Sequence, residues 1–152
     1  QKGLMFIKVK FVKVREGAKV PEQGSKLAAG FDLSACIPDL ERVIIPPHCT
    51  VKIGTGVALR PPEGYFGAIF ARSGISFKEG LRPCNCVGVC DEDFSAEYIV
   101  ALHNDSDETR IVNHGERIAQ LVFLPYLNVE WEETDTLPNT ERGSGSFGST
   151  GR

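Results

Sequence analysis

Hydrophobic and polar positions alternate with a period of two along much of the chain. Ile7, Val9 and Phe11 alternate with Lys8 and Lys10, the mark of a half-buried strand. The phase flips at Val12-Lys13-Val14, which predicts a bulge or a strand end. Val51, Ile53, Val57 and Leu59 repeat the alternation. Further strands are expected at 65–71, 97–103, 109–112, 118–124 and 129–132, and Gly88-Val89-Cys90 closes on Asp91 as another apolar run. Pro46-Pro47, Pro61-Pro62-Glu63-Gly64, Asn104-Asp105-Ser106-Asp107 and His114-Gly115 punctuate these runs as turns. A single short helix is predicted over Ser73 to Glu79, with Ser73 as its cap. Many short strands and one short helix point to an all-β sandwich, jelly roll or barrel.

Composition narrows the function classes. At 152 residues one domain is expected, with a sizeable core. Lys and Arg total 17 against 20 Asp and Glu, a net charge of −3, which supplies no basic surface for nucleic acid. No apolar run reaches membrane-spanning length and no signal-peptide pattern is present, so a soluble intracellular protein, cytoplasmic by default, is expected. Met5-Phe6-Ile7-Lys8-Val9 reads like a start, with residues 1–4 an added leader. Five cysteines, an odd number, argue against a disulfide framework. Cys84, Cys86 and Cys90 follow a C-x-C-x₃-C spacing with no His in the run, unlike a paired zinc motif, and packed thiols are the expectation.

Composition shifts near Asn139. This divides the chain into a body of 1–138 and a flexible arm of 139–152. The closing stretch RGSGSFGSTGR holds no core-forming run and would by itself read as loose coil. Gly143 to Thr150 approaches a phosphate-loop pattern, yet it lacks the lysine and the following helix of a Walker A site. Its amides and hydroxyls, with Arg142, still suit an anion. Arg72, Arg117 and Arg142 each sit beside Gly or Ser, and brought together they would bind phosphate strongly. Asp91-Glu92-Asp93 is a solvated turn on the plain reading. A carboxylate ending an apolar strand also suits a base or a ligand for a hard cation.

Five segments then carry a family resemblance. They are Ala29-Gly30-Phe31-Asp32-Leu33-Ser34-Ala35, then Ala71-Arg72-Ser73-Gly74-Ile75, then Asn85 through Gly88-Val89-Cys90-Asp91-Glu92-Asp93-Phe94. Gly115-Glu116-Arg117-Ile118-Ala119-Gln120-Leu121 and the stretch from Arg142 to Gly151 complete the set. In this order and spacing the chain resembles the trimeric dUTP diphosphatase (dUTPase) family. The resemblance implies a jelly-roll subunit, a β-clip-like distorted barrel. It also implies a homotrimer with shared active sites and Mg²⁺-dependent hydrolysis of dUTP to dUMP and pyrophosphate. That reaction limits uracil in DNA and supplies dUMP for thymidylate synthesis.

The resemblance also assigns roles. Asp91 orients and deprotonates the attacking water and meets the sugar 3′-hydroxyl. Arg72, Ser73, Gly74 and Gln120 hold phosphates, and Asp32 supports the metal through water. Asn85 and the backbone through Val89 and Cys90 read uracil, Phe94 packs under the deoxyribose, and Ile99 belongs to the same substrate-binding set. Arg142 meets the γ-phosphate, Phe147 stacks on the base, and Gly148, Ser149 and Thr150 close on the phosphates. Phe94, Ala96 and Ser146 depart from the usual Tyr, Gly and Gly of the pattern. Two other readings stay open: a dCTP deaminase, which resembles the family in fold but generally lacks the full fifth segment, and a nucleotide-responsive binding protein.

Overall fold

In the computed structural model, which describes residues 5–151, short alternating runs become short antiparallel strands. In chain order these are β1 (Phe11–Lys13), β2 (Glu22–Gln23), β3 (Phe31–Ser34), β4 (Arg42–Ile45), β5 (Thr50–Leu59) and β6 (Tyr65–Phe70). Helix α1 (Ser73–Glu79) follows, then β7 (Leu81–Pro83), β8 (Gly88–Cys90), β9 (Glu97–Asn104), β10 (Arg110–Asn113) and β11 (Arg117–Pro125). One sheet has the order β1-β5-β9-β7, a second β2-β3-β11-β6-β8, and β4 pairs with β10. The expectation about residues 1–4 lies outside the described residues.

Strand β9 shows how the pattern builds the core. Tyr98, Val100, Leu102 and Asn104 point inward, while Ile99 faces out. They meet Ile53 and Val57 of β5 and Leu33, Ile118 and Leu121 of the opposite sheet. Each such apolar side chain contributes about 1.5–3 kcal/mol by leaving water. Buried Asn104 is tolerated because it is saturated. Its amide donates to the carbonyls of Ile45 at 3.0 Å and Glu108 at 2.7 Å, and its oxygen accepts from Ser106.

The all-β expectation holds, with the helix where it was predicted, but the sheets do not close into a barrel. β1 and β7 edge one sheet and β2 and β8 the other. These edges are two or three residues long, and Pro83 lacks an N–H to extend a ladder. Three finer expectations are corrected. Ser73 is the first helical residue, and the helix N-cap is Arg72 with no side-chain cap bond. The run from Ile7 is unpaired until Phe11. Residues 129–132 form no strand, since alternation without a partner edge leaves backbone groups to water.

A register shift in β5 shapes the centre. Gly54 faces Ile99 and Ala58 faces Glu97, so four steps on β5 oppose two on β9. The Thr55 hydroxyl donates to the Tyr98 carbonyl at 2.7 Å, and the Gly56 N–H to Glu97 Oε1 at 2.9 Å. Gly56 has φ +69°, and a Cβ there would lie 2.7 Å from Ala18 Cβ and 2.8 Å from Cys36 Sγ. Gly56→Ala should therefore destabilise the fold by about 2–4 kcal/mol, combining overpacking with a left-handed backbone. Urea unfolding checks this; a midpoint equal to that of the unsubstituted chain would remove the bulge argument.

Candidate active site

Strand register brings the first group of residues together. Gln120 of β11 lies opposite Asp32 of β3 on one side and Phe70 of β6 on the other. β6 leaves the sheet at Ala71, which places Arg72 beside Asp32. Arg72 Nε donates to Asp32 Oδ1 at 2.8 Å and Arg117 Nη1 to Asp32 Oδ2 at 3.2 Å. Gln120 Nε2 donates to the Ala71 carbonyl at 2.9 Å. Gly30 is required here, since a Cβ would lie 2.3 Å from Gln120 Oε1. Gly30, Asp32, Arg72, Ser73, Gly74 and Gln120 share a cleft of about 430 Å³. Two guanidiniums aimed by one carboxylate leave a net positive charge, and with the Ser73 hydroxyl they suit a phosphate.

The second group sits elsewhere. Asn85 is exposed in the β7–β8 turn, next to Cys86 with φ +63°. Val89 and Cys90 lie on β8, and Asp91 follows. The Phe94 N–H donates to the Asp91 carbonyl at 3.0 Å, closing a tight turn. Among the described residues no hydrogen bond or ion pair engages the Asp91 carboxylate. Val89 and Asp91 line a cavity of about 470 Å³ with Arg60, Phe66 and Tyr126. The Phe94 ring lies 5.7 Å from that of Tyr98, and Ile99 is exposed on the outer face of β9.

The Asp91 turn and the Arg72 cleft line separate cavities on this chain. Cys90 pairs with Gly67. Arg72 lies five residues further along that strand and its exit, roughly 17 Å at about 3.3 Å per residue. The third group is separate again. Arg142, Phe147, Gly148, Ser149 and Thr150 lie on an exposed segment with turns only and line neither cavity, so Arg142 does not join Arg72 and Arg117. The Phe147 ring is fully exposed.

The dUTPase family profile matches residues 16–151 of this sequence. The chain belongs to the dUTPase family. It is 42% identical over 146 residues to the deoxyuridine 5′-triphosphate nucleotidohydrolase of Desulfitobacterium hafniense, covering 95% of each chain. It is 44% identical over 139 residues to the protein of that name from Hydrogenobaculum, covering 91% of this chain and 94% of the relative. A dUTPase mutant of Staphylococcus bacteriophage 80alpha, described with dUpNHpp, superposes with a TM-score of 0.86 at 28% identity, covering 95% of this chain and 99% of its own. The antiparallel-sheet arrangement is thus the jelly roll of dUTPases.

Within this dUTPase fold three features escaped the sequence reading. Arg117 was one of three scattered arginines, with nothing to say that it shares Asp32 with Arg72. Arg60 and Tyr126 flank the Asp91 turn from loops distant in sequence and carried no signal. The packed-thiol expectation is also corrected. Cys36 is buried and Cys90 half-buried, but Cys49, Cys84 and Cys86 are exposed on this chain, because they fall in turns. Burial pushes the Cys90 thiol up, against a lowering by the Tyr98 hydroxyl, with a lesser push upward from Asp91, which disfavours the thiolate. Among the described residues no three His, Cys, Asp or Glu side chains gather as a metal cage, and no helix is long and apolar enough to cross a membrane.

Among the described residues the Tyr98 hydroxyl is buried with only the Cys90 thiol, a weak partner, and the bare backbone of Gly67 beside it. Burial pushes its ionisation far up, so it stays neutral. Removing an unsatisfied hydroxyl while keeping the ring should stabilise the fold by about 1 kcal/mol. Tyr98→Phe is expected to raise the urea midpoint; a lowered midpoint would reveal a partner for that oxygen.

Proposed function

We propose that this chain hydrolyses dUTP to dUMP and pyrophosphate. The carrying observation is the division of labour within one family fold. An arginine-rich cleft fit for phosphates stands about 17 Å by strand rise from a turn bearing an unengaged carboxylate. Hydrolysis at the α-phosphorus needs both at one phosphate chain, so the reading calls for sites assembled between copies, in a homotrimer. The family match extends through the fifth segment to residue 151, which supports a dUTPase over a dCTP deaminase.

In this reading Arg72, Ser73, Gly74 and Gln120 grip the phosphates. Asp32 keeps both guanidiniums aimed, and the Gly30 gap lets Gln120 lie flat in the cleft. Asn85, the Val89–Cys90 backbone and Ile99 face uracil, and Phe94 supports the sugar on its Tyr98 platform. Asp91 orients a water in line with the α-phosphorus and takes its proton as the new P–O bond forms. The bond to the bridging oxygen breaks, and pyrophosphate leaves with that electron pair. The arm of 139–152 closes from another copy, with Arg142, Gly148, Ser149 and Thr150 on the terminal phosphate and Phe147 on the base.

The donor set fits Mg²⁺ better than a transition metal. It offers one carboxylate, Asp32, rather than a cage, and Mg²⁺ keeps waters and binds mainly through substrate phosphates. When bound, the ion neutralises phosphate charge. Asp32 would hold it through water.

A turnover assay with dUTP, dCTP and Mg²⁺ tests the reading, with dUMP and pyrophosphate from dUTP expected; deamination of dCTP to a deoxyuridine nucleotide would replace it. Asp91→Asn should lower kcat by about 10²–10⁴ while still binding nucleotide. Deleting residues 142–152 should lower kcat/KM by about 10²–10³ and leave the trimer intact by light scattering. Mixing those two impaired chains should restore some activity, which a site built within one chain would not allow.

A further inference from the structure

Asp91 stands on a turn crowded with like charge. Asp91, Glu92 and Asp93 are consecutive, and Asp91, Asp93 and Phe94 are all exposed. Such a turn is expected to wander unless something ties it down. The tie runs through Glu92. Its Oε2 accepts from the Tyr126 hydroxyl at 2.5 Å and from the Gly64 N–H at 2.9 Å. Its backbone carbonyl accepts from Arg60 Nε at 3.1 Å. The Tyr126 N–H donates in turn to the Gly64 carbonyl at 3.2 Å.

Three chain segments meet at this one residue. Arg60 and Gly64 belong to the β5–β6 loop, and Glu92 to the β8–β9 loop. Tyr126 is the first residue after β11, where the chain sets out toward the arm. We propose that Glu92, gripped by Tyr126, Gly64 and Arg60, is a positioning residue that holds the Asp91–Phe94 turn in its working place. The inference rests on the reading of Asp91 as the base in dUTP hydrolysis. Glu92 lines the same cavity as Asp91, but its side chain is taken up by bonds with its own chain.

The electrostatics agree with the geometry. The Tyr126 hydroxyl, and after it the Gly64 amide, holds the Glu92 carboxyl below the usual carboxylate range, while Glu92 pushes the Tyr126 phenol up. A neutral phenol therefore donates to a charged carboxylate throughout the neutral range, a stronger bond than one between neutral groups. Because the site is open to water, the network adds little to global stability. Its consequence is local: the carbonyl and side chain of Glu92 are both fixed, so the residue before it cannot swing.

The test uses the full chain with Tyr126→Phe, Glu92→Gln and the double variant beside the unsubstituted protein. The readouts are kcat for dUTP, the Kd of a non-hydrolysable dUTP analogue, the unfolding midpoint, and amide exchange at Phe94, whose N–H spans the turn. Each single variant should lose about 10- to 10²-fold in kcat, the scale of a small misplacement of a reacting group. Analogue Kd and midpoint should stay unchanged, and Phe94 exchange should accelerate. The double variant should be no worse than the poorer single, because both act on one bond. An unchanged kcat, additive losses, or analogue binding that weakens in step with kcat would overturn the proposal. Should the unsubstituted protein fail to hydrolyse dUTP, the functional reading falls. The latch is then judged by Phe94 exchange alone, and an unaltered rate there overturns it.

Discussion

Strand β6 acts as a rigid spacer, and the candidate active site depends on it. A paired strand has no slack: each residue advances about 3.3 Å, and neighbours on both sides hold it straight. β6 lies between β11 and β8, with Gln120 opposite Phe70 at one end and Cys90 opposite Gly67 toward the other. Whatever stands beside Cys90 is thereby kept away from whatever stands beyond Phe70. The Asp91 turn and the Arg72 cleft fall on these two sides. The strand holds the two sides at that spacing, which is the ground for proposing a site shared between copies.

At the Arg72 end, one carboxylate organises two cations. Asp32 is mostly shielded, with a side-chain exposure of 16%, whereas Arg117 remains 58% exposed. A shielded carboxylate without partners would be costly, and two guanidiniums side by side would repel. Placed together each offsets the other's cost, and one positive charge is left for an incoming anion. The arrangement needs no buried cage. It needs the β3–β11 register, which sets Gln120 against Asp32, and the absence of a side chain at Gly30.

The other end is organised by neutral packing beneath and polar ties above. Tyr98 rises from the core under Phe94, and its hydroxyl reaches Cys90 without a proper partner. On the solvent side Glu92 gathers bonds from three loops. The turn that bears Asp91 is thus held from below by an aromatic contact and from the side by hydrogen bonds, while its own carboxylate stays unengaged. This is the distribution expected where a group must be placed yet left available to react.

Local pattern settled much of this protein from the sequence alone. Period-two alternation at Val51–Leu59 and in the later runs marked the long strands. Ser73 to Glu79 read as the one helix, and the five ordered segments identified the family and its candidate residues. Where the sequence reading failed, the missing term was a partner. Residues 129–132 alternate as well as any strand but have no edge to pair with, and β2, β3, β4 and β7 are too short to announce themselves before their neighbours are known. Ser73 looked like a cap, yet it is the first helical residue, and the cap position falls to Arg72, whose side chain is drawn off by Asp32. That Arg117 shares Asp32, that Glu92 meets Arg60 and Tyr126, and that Asp91 and Arg72 line separate cavities were decided only by the tertiary structure. Pattern is carried by covalent neighbours, whereas these contacts join residues dozens of positions apart, and only sheet register sets their distance.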